Sequence, residues 1–440
     1  MNPCYKSLQI VSQQIKILHH RLLFLNECFL PLLYQNRAIP IPNHFAIFKP
    51  LGFSHRLLSI AFPMALKAAH VSGVPSLDHV PETPALSVSS AHLPSGAMKA
   101  GQKPTKFLVV GHRGKGMNAL LSPDRRMKEL KENSILSFNA AGRFPIDLVE
   151  FDVQVTKDDC PVIFHDDFIY TEEDGRVSEK RMTDLTLEEF LSYGPQKDIS
   201  KAGKPLIRKT KDGRFLKWSV ESDYPLCTLQ EAFELVDSHI GFNIELKFDD
   251  YINYQDEELT QTLQAVLNVV FKYAKDRPII FSSFQPDAAR VIAKLQSSYP
   301  VYFLTNGGTE IYPDARRNSL EEAVKHCVEN GLQGIVSEVK AIFKFPTAIP
   351  KIKEANLGLI TYGVLNNVPE AVYMQHLMGI NGVIVDLVQE ITESLAEFIN
   401  HKTEEENGAE GGEAKEVINR PNFSQREISF LLRLIPELVQ

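Results

Sequence analysis

VEFDVQVTKDDCPVIFHDD, residues 149–167, reads as a strand, a tight turn and a second strand, yet its first strand carries acids where a buried strand is ordinarily apolar. Successive strand side chains point to opposite faces, so Glu150 and Asp152 share one face while Val149, Phe151 and Val153 share the other. An isolated E-x-D pair fits the wet face of an edge strand. Whether these two acids do depends on the strands around them.

From Lys106 onward, short β-branched and aromatic runs alternate with amphipathic helical segments, the pattern of βα units around a parallel sheet. Eight strands are predicted: 106–112, 147–153, 241–248, 278–284, 300–306, 331–339, 357–364 and 382–388, with helices such as ENSILSFNAAGRF, PDAARVIAKLQ and SLEEAVKHCVEN between them. Eight alternations predict an α/β fold, a (β/α)8 TIM barrel, with a doubly wound open sheet as the other architecture of the same period. One unit is too long. After the second strand, PVIFHD and roughly 60 polar, Lys- and Gly-rich residues (about 167–227) precede TLQEAF, which predicts an inserted segment over one barrel mouth. Its lone Trp218 is expected to pack that insertion onto the barrel, or else to line a pocket.

The expected organisation is a disordered leader and linker (1–100), the barrel (101–400) and a C-terminal segment (401–440). The first 77 residues hold one acid, Glu27, against seven Lys and Arg, and a Pro/Ser-rich stretch follows, as in an organelle transit region. A second methionine, Met64, offers an alternative start. The acidic, Gly-rich 402–416 is expected to be a disordered linker. Beyond it, Ser424 and Glu427 make a capping box for a helix with Ile428, Leu431, Leu432 and Ile435 on one face, expected to dock on the barrel or else to make a weak contact with a partner or a membrane. No run approaches the length of a membrane span. The net charge of −8, acidic beyond the leader, argues against nucleic acid. Five cysteines without C-x-x-C or zinc-like spacing read as reduced thiols.

In barrel enzymes the strand C-termini build the active site. His112 and Arg113 end the first strand, Glu150 and Asp152 lie on the second, His165 ends PVIFH, and Glu245 and Lys247 lie on the third. Three carboxylates, Glu150, Asp152 and Glu245, suit a hard cation such as Mg²⁺ or Ca²⁺ rather than zinc. Two histidines, a divalent cation and basic groups are the parts for cleaving a phosphodiester, one imidazole taking a proton and the other giving one. A glycosidase reading of the acids leaves both histidines and Arg113 without work.

GHRG (111–114), ENS (132–134), VEFDVQVTKDDCPVIFHDD (149–167) and NIELK (243–247) resemble the glycerophosphodiester phosphodiesterase family over about residues 106–400, and its plant plastid-targeted members in particular. The resemblance implies a TIM barrel and hydrolysis of small glycerophosphodiesters, such as glycerophosphocholine and glycerophosphoethanolamine, to sn-glycerol 3-phosphate and an alcohol, with Mg²⁺ or Ca²⁺. It implies His112 and His165 as the acid/base pair, and Glu150, Asp152 and Glu245 as metal ligands. Arg113, Lys247, Glu132 and Asn133 would act around the phosphate or glycerol. A chloroplast location follows, with the cytoplasm as the alternative. Other readings are a phospholipase-like reaction releasing a cyclic phosphate, and a non-catalytic phosphate-binding module. Two positions depart from the family pattern: Asp159 stands where Gly is usual, and TYGVLNN (361–367) replaces a T-W-x-V-N pattern, leaving Tyr362 and a shifted Asn366.

Overall fold

The computed structural model describes residues 107–210 and 212–407. The strands are β1 (Leu108–Gly111), β2 (Leu148–Val155), β3 (Pro161–Ile163), β4 (Phe168–Glu173), β5 (Arg176–Arg181), β6 (Ile207–Lys209), β7 (Phe215–Lys217), β8 (Gly241–Leu246), β9 (Ile279–Ser283), β10 (Val301–Thr305), β11 (Gly334–Glu338), β12 (Gly358–Tyr362) and β13 (Gly382–Val385). The helices are α1 (Ile135–Ala141), α2 (Leu187–Leu191), α3 (Leu229–Leu235), α4 (Asp256–Tyr273), α5 (Pro286–Leu295), α6 (Leu320–Asn330), α7 (Val339–Lys344), α8 (Ala348–Glu354), α9 (Pro369–Leu377) and α10 (Val388–Asn407).

Eight parallel strands, β1, β2 and β8 to β13, form a closed barrel: β1 pairs with β13 through Leu108↔Gly382 and with β2 through Val110↔Leu148. Closure excludes the open doubly wound sheet. The strands are rich in Val, Ile and Phe because both faces are covered. Leu108, Val110, Leu148, Ile280, Tyr302, Leu304, Val336, Ile360 and Ile384 fill the interior. The alternate residues, among them Val149, Phe151, Val153, Phe242 and Ile244, pack under the helices. That alternation answers the opening stretch. With Val149 and Phe151 committed to the helix layer, Glu150 and Asp152 must point into the barrel, and they do so near its C-terminal end.

The insertion is more structured than its polarity predicts. β4–β5 and β6–β7 make a four-stranded antiparallel sheet, with the one-turn α2 between the hairpins. Val162, Phe164, Ile169, Met182, Leu185, Phe190, Tyr193, Leu206, Trp218 and Leu226 form its core. Trp218 is buried in that core and donates Nε1–H to Asn118 Oδ1 at 3.0 Å, so it packs the insertion on the barrel's first loop. At the other end, α10 continues to Asn407, six residues into the stretch expected to be a linker. Its Lys and Glu residues are good helix formers. The leader, the remaining linker and the helix expected after Ser424 lie outside the described residues. Among the described residues, no helix is long and apolar enough to cross a membrane.

Candidate active site

The Cα register of β2 and β8 sets Asp152 opposite Glu245 and Glu150 opposite Asn243. Glu150, Asp152 and Glu245 therefore meet, each offering an oxygen within 4.8 Å of the other two, and all three are buried. Burial and the neighbouring Asp152 charge push the Glu150 carboxyl well above the ordinary carboxylate range. Asp152 shifts the opposite way: burial would raise its pKa, but His165, Arg113 and Lys247 outweigh it and hold the carboxyl well below the usual range. Glu150 Oε1 is buried without a hydrogen-bond partner. A buried carboxylate oxygen is costly to leave unpaired, and three hard oxygens around it make a site that could hold a divalent metal ion.

Positive groups close around the cluster. Lys247 Nζ lies 3.0 Å from Glu245 Oε1 and 3.7 Å from Asp152 Oδ1. Arg113 Nε lies 3.3 Å from Asp152, and its backbone N–H donates to Glu150 Oε2 at 3.0 Å. Arg113 itself takes the left-handed conformation (φ 49°), which is strained for a residue with a long side chain. The next residue, Gly114 (φ 92°), has no such penalty, and a Cβ there would sit 2.5 Å from Ser137 Oγ, which explains the second glycine of GHRG.

Each histidine is backed by an aspartate. His112 Nδ1 is 2.7 Å from Asp386 Oδ1, and its Nε2 faces Glu150 Oε2 at 3.9 Å. His165 Nδ1 is 2.7 Å from Asp166 Oδ1. A carboxylate only accepts, so Nδ1 carries the proton in both rings and Nε2 is left for substrate. Asp386 is itself fixed by Met117 N–H at 3.0 Å and Asn367 Nδ2 at 2.8 Å. Burial lowers the affinity of His112 for a second proton, but Asp386 and Glu150 outweigh burial and hold its pKa above the ordinary imidazole value. His165 is shifted down by burial and by Arg113 and Lys247.

Glu132 and Asn133, expected around the phosphate or glycerol, each hold a charged group at the cluster. Glu132 is enclosed between Arg113 Nη1, at 2.8 Å, and Arg208 Nη2, at 3.0 Å, so it anchors both cations. Asn133 is buried too, and donates Nδ2–H to Asp152 Oδ2 at 2.8 Å, so it orients a carboxylate of the acidic cluster. Beside Glu245 and Lys247 a cavity of about 170 Å³ opens at the mouth, with Asp167, Phe248, Phe284 and Tyr312 on its walls. Geometry thus unites five of the predicted positions, two histidines and three carboxylates, with Arg113 and Lys247 between them.

A model of the glycerophosphoryl diester phosphodiesterase family matches residues 112–390. The chain is 60% identical to the glycerophosphodiester phosphodiesterase GDPD1, chloroplastic, of Arabidopsis thaliana, over 86% of this chain and 100% of that protein. It is 58% identical to GDPD2 of the same plant, again over 86% and 100%. The chain belongs to the glycerophosphoryl diester phosphodiesterase family. It is an enzyme of that family, and the departures from the family pattern have local explanations. Asp159 adopts φ 58°, the left-handed turn position that favours Gly, and Asp is among the side chains that tolerate it. Tyr362 reaches the mouth, its hydroxyl bonded to Asn306, whereas Asn366 is fully buried against Thr361 and the Ile384 carbonyl. The neighbouring Asn367 is the one that serves the site, through Asp386.

Proposed function

We propose that this phosphodiesterase hydrolyses small glycerophosphodiesters, glycerophosphocholine and glycerophosphoethanolamine among them, to sn-glycerol 3-phosphate and the free alcohol. Mg²⁺ or Ca²⁺ would be held by Glu150, Asp152 and Glu245. The observation that carries this reading is the meeting of the aspartate-backed His112 with that carboxylate cluster at the barrel mouth, with His165 and its own aspartate alongside. One imidazole takes the proton of the attacking water while the other protonates the departing alcohol oxygen, and the two aspartates keep both rings turned so that Nε2 does the work. A divalent ion, when bound, supplies charge neutralisation for the phosphoryl oxygens. Arg113 and Lys247 add fixed positive charge beside them, and the paired acids hold both cations in place. Such a reaction feeds glycerolipid breakdown and phosphate recycling.

The deciding experiment is an activity panel of divalent ions against glycerophosphodiesters of different head group, with coupled detection of glycerol 3-phosphate. Release should vanish with EDTA and in His112→Ala; turnover that survives either one refutes the mechanism. Phosphorus NMR of the products separates direct hydrolysis from release of a cyclic phosphate. The acid-poor leader and the name of the Arabidopsis relative GDPD1 support a plastid location for residues 1–100 acting as a transit region. A fluorescent fusion that stays cytosolic from both the Met1 and Met64 starts removes that part of the proposal.

A further inference from the structure

The inserted segment carries a charged residue that the barrel motifs do not include. Arg208, on β6, sends its guanidinium into the mouth, where its side chain is 14% exposed. It forks onto Asp166, with Nε 2.9 Å from Oδ2 and Nη2 2.7 Å from Oδ1. The same group meets Glu132, Nη1 at 3.2 Å from Oε2 and Nη2 at 3.0 Å from Oε1. Asp166 in turn holds His165 Nδ1, and Glu132 holds Arg113. One guanidinium therefore joins the backing aspartate of one histidine to the counter-ion of the arginine beside the carboxylate cluster.

An aromatic ring lies against this group. The guanidinium carbon lies 4.2 Å from the centroid of the Trp218 ring, which also carries Lys131 Nζ at 3.6 Å. Arginine suits the place because its rigid fork meets two acceptors of one carboxylate and lies flat on an aromatic face, neither of which an ammonium can do. Without a cation between them, the half-buried Asp166 and the buried Glu132 repel each other, and Asp166 loses the bonds that orient it.

We propose that Arg208 is a positioning residue of the reaction: it fixes Asp166, and through Asp166 the orientation and tautomer of His165. The inserted segment is then a working part of the active site rather than a cover over the barrel mouth. This rests on the assignment of His165 as one of the two proton-transferring imidazoles.

The test is steady-state kinetics of the full-length chain on glycerophosphocholine with saturating divalent ion, on wild type, Arg208→Gln and Arg208→Lys. Circular dichroism and thermal melting check the fold of each variant. In Arg208→Gln, kcat should fall on the order of 10- to 100-fold with KM within about threefold. Arg208→Lys should recover little of the loss, because one ammonium does not fork. In a His165→Ala background the Arg208→Gln change should cost nothing further, since the two act as a unit. A folded Arg208→Gln with wild-type kcat overturns the proposal, as does a loss confined to KM or a full multiplicative loss on top of His165→Ala. Should the Gln variant not fold, Arg208→Lys decides by the same kcat and KM criteria. A wild type that releases no glycerol 3-phosphate removes the hydrolase reading and this role with it, whereas an active wild type matched by Arg208→Gln removes only the role of Arg208.

Discussion

Asp386 Oδ1 lies 2.7 Å from Nδ1 of His112 although 274 residues separate them. Closure of the barrel makes the pair: His112 follows β1, Asp386 follows β13, and those strands are hydrogen-bonded along Leu108↔Gly382 to Gly111↔Val385. His112 N–H is even bonded to the Val385 carbonyl at 2.9 Å, so the seam of the fold and the orientation of the imidazole are one structure.

Asp386→Asn tests that relationship. Asparagine keeps the shape but turns an NH₂ toward Nδ1 in one of its two orientations and withdraws the charge in both, so the ring no longer holds a single tautomer. The expected loss in kcat is roughly 10²- to 10⁴-fold, the range known for removing the charge behind a catalytic histidine, with little change in KM. Melting temperature should stay near wild type. Equal kcat values for the two proteins would leave Asp386 a structural residue.

A second expectation concerns how the insertion unfolds. Trp218 is the only tryptophan in the chain, and it bonds Asn118 and stacks on Lys131, both in the segment between β1 and α1. Its fluorescence therefore reports the contact between insertion and barrel, while far-UV circular dichroism reports the barrel's helices. Contacts this buried should make the two melt together in urea. A fluorescence transition well below the dichroism transition would mean that the insertion detaches first.

Much of this architecture is legible in the sequence, for a physical reason. Strands covered on both faces, such as PIIFSSF and GVIVDLV, are dense in β-branched and aromatic residues, and the helices between them carry plain caps, Ser319 on α6 and Gln285 with Pro286 on α5 among them. The acids that meet in the cluster were legible because period two sends them inward. The insertion's sheet was not: β6 and β7 are three residues long and β5 is largely exposed, so neither length nor alternation marks them. The aspartates behind the histidines carried weak signals, Asp166 beside His165 and Asp386 at the end of the last strand, where the strand-end rule could have found it. Arg208 carried none, since its partner Asp166 is 42 positions away and only folding brings a polar insertion residue to it. Glu132 carries a signal of another kind. The ENS motif places an acid beside the cluster, and only folding shows the two arginines it lies between.

Acid stability should follow from Glu132. Burial alone would raise its carboxyl pKa, but Arg208 and Arg113 outweigh burial and bring it down to about 2, against about 4.3 in an unfolded chain. A depressed folded pKa contributes stability that is complete above the unfolded value and is lost as pH falls from about 4 toward 2. Thermal melts from pH 6 to pH 2.5 should show the wild type losing stability steeply across that window. Glu132→Gln should start lower, because Arg113 and Arg208 each lose one of their counter-ions, and fall less steeply. Parallel curves for the two proteins would mean that other carboxylates carry the acid transition.

The last prediction separates the duties of the two imidazoles. Protonation of the alcohol matters only while the leaving oxygen is basic, so a substrate that departs as a stabilised anion needs no general acid. On a p-nitrophenyl phosphodiester, one of His112→Ala and His165→Ala should regain most of its lost kcat relative to wild type, and the other should stay about as impaired as on glycerophosphocholine. Release of p-nitrophenolate, followed by absorbance, reads this directly for both variants under the same divalent ion. Recovery in neither variant would mean that leaving-group protonation does not limit the reaction, and recovery in both would mean that neither ring accepts the proton of the attacking water.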